Sequence, residues 1–299
     1  KKMAESILEN KDSLIKKASM LRITTKTLAN TLQNGSFRSL YHGQGIEFSG
    51  VREYMHGDDV RTIDWNVTAR SGKPFVKIFE EERELQIFLV IDCSLSMQTG
   101  SKGKSRLSTA METAALLTLA AEHNVNPVGA VLFSGDIDFV CSPKSGANQT
   151  MILLSHFDKP QKNKTPGSVL SNALVGAGKV LKKRSLIFVI SDFRMKGWEE
   201  SLVHLAGKHD VVCVRIGDPS DYTLPEVGSI PFEDPENGLR KVLPTTSKMF
   251  RSSWREDGRM RLQRWNDSCL KHGAYPLKIS TTDDILSTLT SFFSMRDVQ

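Results

Sequence analysis

The sequence predicts an α/β fold, a mostly parallel sheet with helices on both faces, and three observations predict it. Residues 85–91, 128–133, 185–190 and 210–216 are almost wholly apolar, as strands covered on both faces are. Helical stretches separate these segments, and such a rhythm implies parallel pairing through crossovers. The segments ending at Ile91 and Ile190 each run into a carboxylate, Asp92 and Asp192, where open α/β sheets present their ligand sites.

The elements follow in order. Residues 5–34 read as a helix, with Ile7, Leu8, Leu14, Ile15, Leu21, Leu28 and Leu32 at helical spacings and Asn34-Gly35 as the stop. The stretch 35–72 mixes glycines, charges and aromatics without a long periodic run, and reads as an irregular extension with short strands. Residues 75–79 alternate like a half-buried strand. The first buried strand, 85–91, leads to a helix at 107–121 that is rich in Ala and Leu and free of Gly and Pro. A strand at 128–133 turns through Ser134-Gly135-Asp136 into a short strand at 137–141. Helices at 149–157 and 169–181, a strand at 185–190, a helix at 198–206 and a strand at 210–216 continue the pattern. After Asp218-Pro219 the rhythm breaks. Residues 227–242, centred on Asp234–Gly238, read as a hairpin. A long helix at 247–271 carries Phe250, Trp254, Leu262, Trp265 and Cys269 on one face, and a strand at 275–279 and a helix at 283–293 close the chain. The division expected is a helical segment 1–34, an extension 35–84, and an α/β domain 85–299 with a hairpin insertion at about 224–245.

Composition narrows the class. With 299 residues, 39% apolar and 25% charged, the chain is long enough for a sizeable core and is not a disordered polymer. The net charge of +6 permits an acidic partner without demanding nucleic acid. Cys93, Cys141, Cys213 and Cys269 lie far apart, with no CxxC pair, so neither a zinc framework nor a disulfide scaffold is expected. Reduced thiols in a cytoplasm are the simplest reading. The longest apolar runs are too short to span a bilayer, and the first residues lack the apolar stretch of a signal peptide, so no membrane insertion is expected.

The chemistry concentrates after the apolar strands. In Asp92-Cys93-Ser94-Leu95-Ser96 the alternation lets three oxygens converge from one tight loop, and Asp192 adds a second carboxylate. Such hard oxygen ligands suit Mg²⁺ or Mn²⁺. Ser168, after Pro166-Gly167 and before a helix, is a further candidate. The bland alternatives are that these aspartates are turn residues and that the serines cap turns.

Enzyme and nucleic-acid readings compete. Gly100-Ser-Lys-Gly-Lys-Ser105 ends like a phosphate-binding loop, but Gln98 stands where the first Gly is needed, so a flexible exposed loop is expected. A phosphoester-processing site of the Asp-x-Asp type has Ser94 in place of the general acid. The seven histidines are scattered. Basic runs at Lys102/Lys104/Arg106, Lys179–Arg184 and Arg251–Arg264 suggest nucleic acid, yet the accompanying Trp254 and Trp265 are spaced for a buried face rather than a stacking platform. Asp58, Asp59 and Asp64 are expected to form turn hydrogen bonds and salt bridges with Arg52, Arg61 or Arg70.

Asp92-Cys-Ser-Leu-Ser96 together with Asp192 resembles the metal-ion-dependent adhesion site (MIDAS) of von Willebrand factor A (vWA) domains. Gly43–Phe48, Arg52–Tyr54, Gly57-Asp-Asp-Val-Arg-Thr-Ile-Asp-Trp65 and Ala69-Arg70 resemble the signature of the DUF58 family, bacterial vWA-containing proteins. The likeness runs from about Leu28 to Arg296. It implies a vWA fold and a metal held by Asp92, Ser94, Ser96, Ser168 and Asp192. Ser168 stands where the family has Thr, and Thr165 is a rival for that place. It further implies a non-enzymatic binding role, in which the metal takes a carboxylate from a protein partner, and points to a MoxR-type AAA+ ATPase as that partner.

Overall fold

The computed structural model describes residues 46–81, 85–101, 103–159, 169–233 and 239–295. The helix expected at 5–34 and the hairpin centre at 234–238 lie outside them. The chain packs as two units, one within residues 32–84 and the other containing residues 85–299.

In the smaller unit, β1 (Ile46–Glu53) pairs antiparallel with β2 (Phe75–Glu81). The stretch expected to be an irregular extension with short strands therefore holds a strand of eight residues. Its register shifts between Phe48 and Gly50, so Ser49 faces no partner and the period-two alternation is broken there. A short helix, α1 (Trp65–Ser71), also falls in this stretch. The Asp64 carboxylate caps its start by accepting from Asn66 N and Val67 N, and Gly72, at φ 71°, closes its end. The Arg52 guanidinium donates to both Asp58 oxygens at 2.7 Å. With the Met55 N–H it holds the Asp58 carboxyl down at about 2. Asp59 caps the turn that follows, accepting from Arg61 N at 2.9 Å. These aspartates thus make turns, caps and an ion pair.

The larger unit is built on a six-stranded sheet. Its strands are β3 (Gln86–Asp92), β4 (Val128–Phe133), β5 (Ile137–Lys144), β6 (Ser185–Ser191), β7 (Asp210–Gly217) and β10 (Tyr275–Ser280). They lie in the order β10-β7-β6-β3-β4-β5, all parallel except the edge strand β5, which runs antiparallel to β4. The chain builds outward from β3 to β5 on one side and from β6 to β10 on the other. The topological switch point therefore lies between β3 and β6, the place where such sheets bind ligands.

Alternate residues of the central strands point to opposite faces. On one face Phe88, Val90, Ile187, Val189, Val211 and Cys213 meet α4 (Leu170–Val180), α5 (Glu199–Ala206) and α6 (Lys248–Lys271). The other face is covered by α2 (Arg106–His123), which packs beside α3 (Ala147–Phe157) and α7 (Ile285–Met295). Helix α2 starts at Ser105, whose side chain accepts from Ser108 N, and its Ala/Leu body is buried on most sides. An antiparallel hairpin, β8 (Ser229–Glu233) with β9 (Arg240–Pro244), leads into α6. Helix α6 presses on the turn Pro219–Asp221. A Cβ on Gly258 would lie 2.5 Å from Asp221 O, so only glycine fits there, and the Trp254 indole donates to Ser220 O at 3.0 Å. All four cysteines are free thiols, three of them buried. Among the described residues no helix is long and apolar enough to cross a membrane.

Candidate metal centre

The sheet brings the two predicted loops together at its switch point. Asp92 ends β3, and Asp192 directly follows β6, the neighbouring parallel strand. Asp92, Ser94, Ser96 and Asp192 are all buried, none more than 6% exposed. The loop after Asp92 is shaped locally: Asp92 Oδ1 accepts from Ser94 N at 2.9 Å, which turns the chain into a 3-10 turn over Leu95–Gln98. That turn places Ser94 Oγ and Ser96 Oγ 3.2 Å apart. At this distance the two hydroxyls are hydrogen-bonded to one another.

The carboxylates are unevenly satisfied. Asp92 Oδ2 accepts from Ser191 Oγ at 2.6 Å, so both Asp92 oxygens are engaged. Burial pushes the Asp92 carboxyl up to about 6, and the Asp192 charge pushes the same way, against the hydrogen bonds from Ser191 and Ser94. Asp192 Oδ1 accepts from Arg194 N at 3.1 Å. Asp192 Oδ2 is buried and makes no hydrogen bond; Arg194 Nε stands 3.4 Å away, at ion-pair distance without hydrogen-bond geometry. A buried carboxylate oxygen without a hydrogen bond is costly, and the Arg194 charge offsets that cost only in part. The backbone at Phe193 takes a left-handed φ of 52°, rare for an aromatic residue, while its ring packs against Trp198 and Trp265.

Ser168 and its rival Thr165 lie outside the described residues. The chain just beyond them returns to this end of the sheet: Val169 N donates to Ser134 O at 2.9 Å, directly after Phe133, the register partner of Asp92. Two residues given no role from the sequence also shape the site. Ser191 anchors Asp92, and Arg194 reaches from Asp192 to Asp221 Oδ1 at 2.6 Å. A serine at the end of an otherwise apolar strand was the available signal for the first.

A second carboxylate network adjoins the site. Asp218 Oδ2 accepts from Ser101 N, Ser101 Oγ and Thr281 Oγ1, and Oδ1 accepts from Ser220 N and Oγ. Burial pushes this carboxyl up, but those hydrogen bonds outweigh it and hold Asp218 well below the usual range. Asp221 Oδ1 accepts from Arg106 and Arg194, and Oδ2 from Asp218 N. Ser101, in the stretch 100–105 expected to be a flexible exposed loop, is therefore pinned. The Ser101 N–H that a phosphate would need is engaged by an internal carboxylate.

The donor set can hold a hard divalent ion: two carboxylates and neutral hydroxyls, with no thiolate or imidazole. Among the described residues no cluster of three or more His, Cys, Asp or Glu is placed to bind a metal.

A mostly parallel α/β domain with buried aspartates and serine hydroxyls converging at its switch point has the architecture of a vWA-type domain. The chain belongs to the family described as "Protein of unknown function DUF58", which it matches over residues 50–264. It is 30% identical over 221 residues to an uncharacterized protein of Mycobacterium tuberculosis, covering 73% of this chain and 70% of that protein. Solved structures similar to it include the conserved hypothetical protein BatB from Bacteroides thetaiotaomicron, at 17% identity and a TM-score of 0.44, covering 72% of this chain and all of that one. An aerotolerance-related membrane protein from Bacteroides fragilis is similar at 18% identity and a TM-score of 0.47, with the same coverage. The fold itself rests on the strand order above rather than on these likenesses.

Proposed function

We propose that this chain is a non-enzymatic, metal-dependent protein-binding module. In this reading Asp92, Ser94, Ser96, Ser168 and Asp192 hold one Mg²⁺ or Mn²⁺ ion. The observation that carries it is the meeting of two buried, mutually repelling carboxylates with two serine hydroxyls at the switch point, one carboxylate oxygen lacking any hydrogen bond. A metal held largely by neutral hydroxyls keeps net positive charge and attracts a carboxylate from a partner. The chain's own part is to set the two serines side by side, to hold Asp92 through Ser191, and to exclude water from both aspartates. The partner proposed is a MoxR-type AAA+ ATPase, with this chain as its adaptor; the resemblance to vWA-containing proteins supports that choice.

Calorimetry with Mg²⁺ and Mn²⁺ tests the site. Wild type binds one ion, and Asp92→Ala binds none; equal heats from both proteins reject it. A pull-down of a MoxR-type ATPase encoded beside this chain tests the partner. EDTA and Ser96→Ala each abolish capture if the metal bridges the two proteins, whereas full capture under both rejects metal-bridged recognition.

A further inference from the structure

We infer that Arg194 is a resident counter-cation of the metal centre: its guanidinium serves Asp192 in the metal-free protein, and an ion binds by displacing it from that carboxylate. The inference rests on the metal-site reading and adds a regulating residue to it. Asp192 meets Arg194 through both of its oxygens. Oδ1 accepts from Arg194 N at 3.1 Å, and Oδ2 has Arg194 Nε at 3.4 Å. Oδ1 is thus committed to the backbone turn, and Oδ2, which accepts no hydrogen bond, is the oxygen an ion would take. At a ligand distance of about 2.1 Å, an ion on Oδ2 would stand no more than about 5.5 Å from Arg194 Nε, and the two positive charges repel there.

The charges around this contact make the two cations competitors. The carboxylates of Asp92, Asp192, Asp218 and Asp221 are set against the guanidinium groups of Arg106, Arg194 and Arg215. Arg106 and Arg194 each donate to Asp221 Oδ1 at 2.6 Å. Arg215 is the register partner of Ser191, lies over the Trp265 ring at 5.7 Å, and is within charge range of Asp221, Asp192 and Arg194. Counted over these groups alone, a divalent ion turns one net negative charge into one net positive charge, which favours release of a guanidinium.

Burial decides which one is released. The Arg106 side chain is 3% exposed and Arg215 is 7% exposed, whereas the Arg194 side chain is 43% exposed. Arg194 alone of the three can turn its charge into water without opening the core. Its backbone does not follow, because Phe193, at a left-handed φ of 52°, is fixed by its ring against Trp198 and Trp265. The motion is confined to the side chain, and Asp221 keeps its hold on Nη2. By linkage, whatever the contact with Asp192 contributes to the metal-free protein is subtracted from the affinity for the ion. Arg194 therefore sets the metal affinity of the site below what its oxygens alone would give.

The test is calorimetry with Mg²⁺ on the whole chain, comparing wild type, Arg194→Gln and Lys196→Gln. Lys196 is an exposed lysine two residues further on, and its substitution removes the same charge without touching Asp192. Arg194→Gln should bind Mg²⁺ about tenfold more tightly than wild type. Lys196→Gln should change the affinity by no more than about twofold, since solvent screens an exposed charge. Thermal unfolding adds a change of sign that a merely structural residue would not give. In EDTA the Arg194→Gln midpoint should lie below that of wild type by at most about 4 °C. Excess Mg²⁺ should then raise it about 2–4 °C further than it raises wild type. Equal or weaker Mg²⁺ binding by Arg194→Gln, or an equal gain in Lys196→Gln, overturns the displacement and leaves the metal site standing. Tighter binding in Arg194→Gln that survives the addition of Asp92→Ala rejects the site at Asp92, and the inference with it. No Mg²⁺ binding by any of the three proteins rejects both.

Discussion

Two pairs of buried aspartates occupy the carboxyl end of one sheet, and their surroundings treat them in opposite ways. Asp218 and Asp221 are met by serine and threonine hydroxyls, backbone N–H groups and two guanidinium groups. Asp92 and Asp192 repel one another, and although both Asp92 oxygens are engaged, Asp192 Oδ2 is left without a hydrogen bond. Burial alone does not make an aspartate a site, since all four are buried. What separates them is whether the fold supplies enough donors. The satisfied pair ties the loop after β3 to the turn after β7 and acts as scaffold. The other pair keeps one buried carboxylate oxygen without a hydrogen bond.

Substitutions break this comparison in order of size. The largest effect is expected at the satisfied pair. Asp221→Ala strands the Arg106 guanidinium, whose side chain is 3% exposed, and should cost about 3–5 kcal/mol by denaturant unfolding.

The unsatisfied pair should respond with the opposite sign. In metal-free protein the folded-state Asp92 carboxyl, at about 6, lies above its ordinary value of about 3.8. The folded state therefore holds the proton more tightly than the unfolded chain. Its contribution to stability is full below about pH 4 and is lost as pH rises through about 6, a change of up to about 3 kcal/mol. Asp92→Asn in EDTA should thus be about 1–3 kcal/mol more stable than wild type at pH 7, with the difference vanishing near pH 4. Urea unfolding across that range checks it, and a variant less stable than wild type at pH 7 contradicts it.

Asp218→Asn should be milder, losing about 1–3 kcal/mol at pH 7. The wild-type carboxyl here is held below its ordinary value, so its contribution is present at neutral pH and fades as pH falls below about 4, the mirror of Asp92. The smallest effect belongs to Arg194, which touches both pairs but is 43% exposed. Solvent screening limits Arg194→Gln to about 1 kcal/mol or less in thermal unfolding.

The unsatisfied pair was legible in the sequence and the satisfied pair was not, for a physical reason. Asp92, Ser94 and Ser96 sit within five residues of one another, and Asp192 follows a second apolar strand. Local spacing and a strand-end rule were enough to assemble them. The donors to Asp218 and Asp221 come from far away in the chain: Ser101 is 117 residues from Asp218, Arg106 is 115 from Asp221, and Thr281 is 63 from Asp218. Only the closed sheet brings them together. The same holds on a smaller scale in the first unit. The β1 strand was expected only as unplaced short strands because the bulge at Ser49 interrupts its alternation, and α1 was not expected because seven residues are too few for a periodic signal. The parallel strands were plain, since burial on both faces leaves runs such as Phe88–Ile91 that few other environments tolerate.

The most direct test of the central claim is the thermal midpoint as Mg²⁺ is raised at pH 7, measured on wild type, Asp92→Asn and Asp218→Asn. A ligand that binds only the folded state raises that midpoint with its concentration. If the unsatisfied pair holds the ion, wild type and Asp218→Asn rise with Mg²⁺ while Asp92→Asn stays flat. A flat wild type, or an equal rise in Asp92→Asn, contradicts the assignment of the metal to Asp92 and Asp192.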